Sequence, residues 1–278
     1  MELNALSAEQ IIKDTCAGSS NTIDLTKCTF VEVSGIIRLV LLARHLTFEK
    51  RSIQMMIPQS EDVQGYLERA NVFNELKGYC TFNESIEHLQ HRERNPTSTL
   101  VELRSLDEEN QARAIIDCFS TSLKAHKSIN SDIMDTIDKV LFETLQNISE
   151  HANPGDFFAV SHGLAALQRY KKKLCLSIGD LGVGIRKSLT SNPKYPESRY
   201  DHTEAIKAAI SGYSRHADIG RGGGLMSVVA AIQKLDGWLK VRSGDVAVTI
   251  AANDQQRVDQ YVLFPGTQID INVPLLQS

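Results

Sequence analysis

Apolar positions in the first ninety residues come in short runs broken by polar ones. Residues 29–33 (TFVEV) alternate as a strand does, and residues 35–46 (GIIRLVLLARHL) are apolar on nearly every side of a helix. Residues 52–57 (SIQMMI) predict a second strand, closed by Pro58, which cannot continue a ladder. Residues 63–76 (VQGYLERANVFNEL) predict a helix stopped by Gly78. Strand, helix, strand, helix at this spacing predicts a small α/β unit over residues 1–95. Residues 91–99 (HRERNPTST) are charged, carry Pro96 and show no period, so the boundary is placed there.

The pattern then restarts, and a second unit is expected over residues 105–278. Residues 107–126 read as a helix. Residues 132–152 read as another, with Ile133, Ile137, Val140, Leu141, Leu145 and Ile148 forming one buried stripe. Asn153, Pro154 and Gly155 end it. Residues 157–167 and 173–178 predict neighbouring strands. A long polar stretch with glycines and prolines follows to about Gly224, broken by a short helix at 204–211. A buried helix at 225–235 and strands at 238–242, 246–251 and 267–273 complete the series.

Composition narrows the class. Of 278 residues, 42% are hydrophobic and 23% charged, as in an ordinary globular protein. Thirty basic against 34 acidic residues leave a net charge of −4, with no bulk drive toward nucleic acid or anionic membrane. No apolar run approaches the ~20 residues of a membrane span, and the N-terminus lacks a signal-peptide pattern. Five scattered cysteines without CxxC spacing suit a reducing, cytoplasmic setting better than a disulfide or metal scaffold.

Three clusters carry candidate chemistry. Glu143, Asn147 and His151 recur every four residues, which puts them on one strip of a helix beside the apolar stripe. An Asn oxygen is a hard ligand suited to Mg²⁺, and a nearby carboxylate can take a proton from water or a hydroxyl. Next, Asp180, Gly182 and Gly184 (GDLGVG) close an apolar strand. A strand-end Asp can accept from an exocyclic amine, the group that separates adenine from hypoxanthine. Finally Gly220, Arg221, Gly222, Gly223 and Gly224 run straight into a helix, where exposed N–H groups and the helix dipole suit phosphate. This is no Walker loop, since Leu225 and Met226 stand where Lys and Ser/Thr would be. It is no dinucleotide fingerprint either: in the GxG of residues 182–184 the third glycine would fall on Lys187.

Helical ExxxNxxxH, strand-end DxGxG, a long polar segment and GxGxGL follow one another here as they do in the GHKL ATPases. The region of residues 105–276 resembles that superfamily, which includes histidine kinases, anti-sigma serine kinases, gyrase, mismatch-repair and chaperone ATPases. Its ending, PGTQIDINVPL, looks like the last strand of a histidine-kinase ATP-binding domain. The resemblance implies an α+β sandwich of the Bergerat type, a mixed sheet backed by helices, with ATP held under a lid of about residues 186–224. It implies Asn147 on Mg²⁺, Asp180 on the adenine amine with Thr267 beside it, and Gly182 and Gly184 shaping the adenine pocket. It also implies Gly220, Arg221, Gly222, Gly223, Gly224 and Leu225 around the phosphates, and Glu143 as general base. His151 matches the anti-sigma type, whereas Glu150 departs from the residues usual in either branch. The expected activity is a slow ATPase whose lid switches a protein partner. A serine kinase and a non-hydrolysing ATP-gated module stay open. Pairing in relatives implies a homodimer, and the ending at Ser278 leaves no transducer domain, so a topoisomerase or mismatch-repair assembly is not expected. The first unit is similar to STAS domains. Ser34 and Gly35 match the phosphorylatable Ser-Gly pair, with Val33 where an acidic residue is usual; alternatively Ser34 is the N-cap of the next helix.

Overall fold

The computed structural model describes residues 1–18, 20–90, 100–106, 111–125, 129–151, 163–214 and 223–275. The expected boundary at 91–99, the start of the helix at 107 and the strand start at 157–162 lie outside them. The chain is of mixed α/β class. It begins with β1 (Glu2–Leu3) and α1 (Ala5–Cys16), both missed in the pattern: β1 is only two residues long, and the buried face of α1 includes the polar Glu9 and Thr15. A capping box starts α1: Asn4 Oδ1 accepts from the N–H groups of Leu6 and Ser7, and Ser7 Oγ accepts from Asn4 N–H.

Then follow β2 (Thr22–Asp24), β3 (Phe30–Val31), α2 (Val33–Phe48) and β4 (Gln54–Met56). After them come α3 (Glu61–Arg69), α4 (Val72–Leu76), β5 (Thr81–Phe82) and α5 (Glu87–Gln90). β2, β4 and β5 form a parallel sheet, and β1 pairs with β3. Two expectations change here. The helix expected over 63–76 is two helices, because Asn71 turns left-handed at φ 66°, freeing the Ala70 carbonyl to accept from Leu103 N–H at 2.9 Å. The N-cap of α2 is Glu32, and Ser34 sits 8% exposed inside its first turn, so Ser34 is neither cap nor accessible acceptor.

The second half supplies β6 (Leu100–Leu106), α6 (Gln111–Lys124), α7 (Ser131–His151), β7 (Gly163–Arg169) and β8 (Lys173–Gly179). It continues with α8 (Gly184–Thr190), a 3₁₀ turn at Glu197–Arg199, α9 (His202–Ile210) and α10 (Gly224–Gln233). It ends in β9 (Trp238–Ile250) and β10 (Gln256–Pro274). The five strands are ordered β6-β7-β8-β10-β9, and every pair is antiparallel, so the sheet is not the mixed one expected. Hairpins join β7 to β8 and β9 to β10, while α6 and α7 link β6 to β7, and α8, α9, α10 and β9 intervene between β8 and β10. The strands expected at 238–242 and 246–251 are one strand, in which Gly244 at φ +70° absorbs the irregularity.

Both faces of this sheet are covered. Ala165, Leu167, Ile178 and Ile271 face α6, α7, α9 and α10, and all six stripe residues of α7 join that core. Leu164 and Ala166, the alternate residues of β7, face the other way into a core built around α2. That is why α2 is apolar all round: it is sandwiched between the parallel sheet and the large one. Among the described residues no helix is long and apolar enough to cross a membrane, and the five cysteines are free.

Candidate functional site

A cavity of about 560 Å³ opens between α7, α8, α10 and the ends of β8 and β10. Its inner wall is apolar where Ile148, Ile178 and Ile269 meet, and the residues singled out in the sequence converge on it from five elements. Glu143 and Asn147 line it from α7, Asp180 from the end of β8, Gly184 from α8, Gly223, Gly224 and Leu225 from α10, and Thr267 from β10. Eight of the residues singled out in the sequence therefore share one cavity.

Asp180 is held at the strand end by its neighbours. Gly182 N–H donates to Oδ1 at 2.7 Å, and Asp180 N–H donates to the Thr267 carbonyl at 2.9 Å. Burial pushes its carboxyl up to about 6, against the pull of the Gly182 and Thr267 backbone N–H groups. Gly182 thus acts on the carboxylate rather than on the cavity wall. Gly266, overlooked in the sequence, makes the arrangement sterically feasible. It has φ +76°, and a Cβ there would lie 1.9 Å from the Asp180 carbonyl oxygen. The Pro-Gly pair before Thr267 was the available signal. Gly184, also at φ +76°, starts α8 beside Ser243, whose hydroxyl accepts from Ile185 N–H at 2.9 Å and donates to Gly266 O at 3.0 Å.

On the opposite wall the N-terminus of α10 abuts the polar strip of α7. A Cβ on Gly224 would stand 2.7 Å from Glu143 Oε2 and 3.7 Å from Asn147 Nδ2. Gly223 caps α10 with no side-chain hydrogen bond, so the first-turn N–H groups lack the usual capping acceptor. Together with the dipole of a ten-residue helix this favours an anion. Among the described residues no three His, Cys, Asp or Glu side chains are grouped to hold a metal. Gly220, Arg221 and Gly222 lie outside the described residues, as does the side chain of His151.

The segment expected as a polar lid is folded over residues 184–214. Leu189, Ala205 and Ala208 form a small core of their own, flanked by Tyr195 and Tyr200. Arg186 Nε donates to Tyr200 O at 2.6 Å, and Asn192 Nδ2 to Ser214 O at 3.2 Å. Tyr213 stacks on Tyr195 with ring centroids 5.4 Å apart. With Phe142 and Met226 it gives the cavity mouth an exposed apolar rim, which the sequence reading missed. Phe142, lying off the buried stripe of its helix, was the visible clue. No protein-family model matches the chain, and no curated protein matches it either.

Proposed function

We propose that the protein binds ATP with Mg²⁺ in this cavity, as a GHKL-type nucleotide switch with slow turnover. The convergence of Asp180, Thr267, Asn147, Glu143 and the α10 N-terminus on one 560 Å³ cavity carries the reading. Asp180 accepts the exocyclic amine of adenine, with Gly182 N–H fixing the carboxylate, while Ile178 and Ile269 offer apolar surface to the ring. The amides of Gly224 and its successors meet the phosphates at the helix N-terminus. Asn147 would hold Mg²⁺, which when bound neutralises phosphate charge. Glu143, at that same end of the cavity, takes the proton from an attacking water or protein hydroxyl. Its placement beside Gly224 favours an enzyme over a purely gated module; a serine kinase would use the same base on a protein acceptor. The packing of α7 and α10 on one face of the large sheet supports a helix-backed sandwich of the Bergerat type for the second half, despite its uniformly antiparallel pairing, and the parallel sheet with α2 supports a STAS-like one for the first.

Calorimetric titration with ATP and Mg²⁺ tests the site. Asn147→Ala and Asp180→Ala are each expected to weaken binding by about tenfold or more, roughly 1.4 kcal/mol, with the fold retained. Wild-type affinity in both variants would overturn the assignment.

A further inference from the structure

The sheet face turned away from the cavity carries charge where hydrocarbon would be expected. Arg38 of α2 is fully buried and grips Asp270 of β10 with two bonds, Nη1 to Oδ1 at 3.2 Å and Nη2 to Oδ2 at 2.7 Å. Ser177 of β8 donates to the same Oδ1 at 2.6 Å, and Arg38 Nε donates to Glu9 Oε1 of α1 at 3.1 Å. Arg242 of β9, only 1% exposed, brings its Nε within 2.7 Å of that Glu9 oxygen. Two buried arginines face two buried carboxylates, so the cluster is neutral as a whole. It is imperfectly satisfied: Glu9 Oε2 and both polar atoms of Gln268 lack a hydrogen-bond partner among the described residues. Buried ion pairs of this kind seldom stabilise more than well-packed apolar side chains of the same volume. Stability alone does not account for the cluster.

Its position does. Side chains alternate across a strand, so each sheet member of the cluster adjoins a residue on the cavity side. Asp270 follows Ile269 and Ser177 precedes Ile178, and these two isoleucines line the cavity and pair with each other in register. Arg242 precedes Ser243, the hydroxyl that ties α8 to the Gly266 carbonyl. One step along, Gly179 sits under α2: a Cβ there would lie 2.7 Å from Leu41 Cδ1 and 2.9 Å from Ile37 Cγ2. The helix therefore rests on the residue immediately before Asp180.

We propose that Arg38 and Asp270 are positioning residues for the pocket: by pinning β8 and β10 to α1 and α2 they hold the pocket floor and Asp180 in register. The N-terminal unit thereby sets nucleotide affinity from behind the sheet. The ligand in this proposal rests on the nucleotide reading; the positioning does not.

The double variant Arg38→Met/Asp270→Leu replaces the pair with hydrocarbon and leaves Glu9 and Arg242 to balance each other. Three measurements are made on it and on the wild type. They are the urea midpoint, hydrogen exchange of the nucleotide-free protein, and ATP–Mg²⁺ titration. The expected result is a midpoint near wild type, faster exchange at residues 178–181 and 266–269, unchanged exchange in the middle of α7, and affinity about fivefold to tenfold weaker. Arg38→Lys, which keeps the charge without the two-pronged geometry, should fall between. A folded double variant with wild-type exchange at the floor and wild-type affinity would overturn the proposal. If the double variant does not fold, Ser177→Ala carries the same readouts with a smaller change expected, and wild-type values in both would overturn it equally. If the wild type itself fails to bind ATP, the nucleotide reading falls, and the exchange difference still decides the positioning role.

Discussion

Asp180 is a carboxylate whose surroundings hold its proton longer than water would. Burial raises it to about 6, whereas in the unfolded chain the proton leaves near the ordinary value of about 3.9. Between those values the folded state binds more protons than the unfolded one, so stability falls as pH rises through this window and stays lowered above it. Asp180→Asn is therefore expected to raise the urea midpoint at about pH 8 and leave it nearly unchanged at about pH 4. The proposed ligand responds in the opposite sense, because an amine donates best to the ionised carboxylate. ATP affinity should decline as pH is lowered through about 6, read by calorimetry. An affinity flat from pH 5 to 8 would take Asp180 out of contact with the ligand.

At the scale of elements, the decisive contact is between the start of α10 and the polar strip of α7. A Cβ on Gly224 would meet Glu143 Oε2 at 2.7 Å, so the end of that flexible side chain would have to turn aside. Inside a helix alanine is preferred over glycine by about 1 kcal/mol, and a smaller gain is expected at the first position of α10. Gly224→Ala should thus keep or slightly raise thermal stability while displacing the Glu143 carboxylate and weakening ATP binding by about tenfold. Parallel thermal melts and titrations separate the two effects. A loss of stability with intact binding would mean that the close approach serves packing alone.

For the whole molecule, the core around α2 makes the N-terminal unit and the large sheet one body of packing. Leu164, Ala166, Leu181 and Phe264 of the second half share a cluster with Ile36, Leu39 and Leu42 of α2. Unfolding is accordingly expected as a single cooperative transition. Trp238, the one tryptophan, reports on β9, and the buried thiol of Cys28 reports on the N-terminal unit. Their midpoints in urea should coincide. Earlier exposure of Cys28 would show that the N-terminal unit opens by itself, and would weaken any role for it behind the pocket.

What periodicity and punctuation encode was legible without coordinates. The stripe of α7 with Glu143 and Asn147 beside it, the strand ending at Asp180 and the glycines entering α10 are local patterns, set by 3.6-residue and two-residue repeats and by glycine's freedom. The break at Asn71, the single long β9 and, apart from the short helix expected at 204–211, the folding of residues 184–214 were not legible, because each depends on partners distant in sequence. Gly266 is needed only because β10 passes against Asp180, 86 residues away by number, and no local pattern announces that crossing. Arg38 shares its largely apolar helix with Arg44 and His45, and nothing local sets it apart; only the fold brings it to Asp270, 232 residues on. Local chemistry chose which side chains could serve, and long-range pairing, whose free energy is spread over many contacts, decided which of them meet.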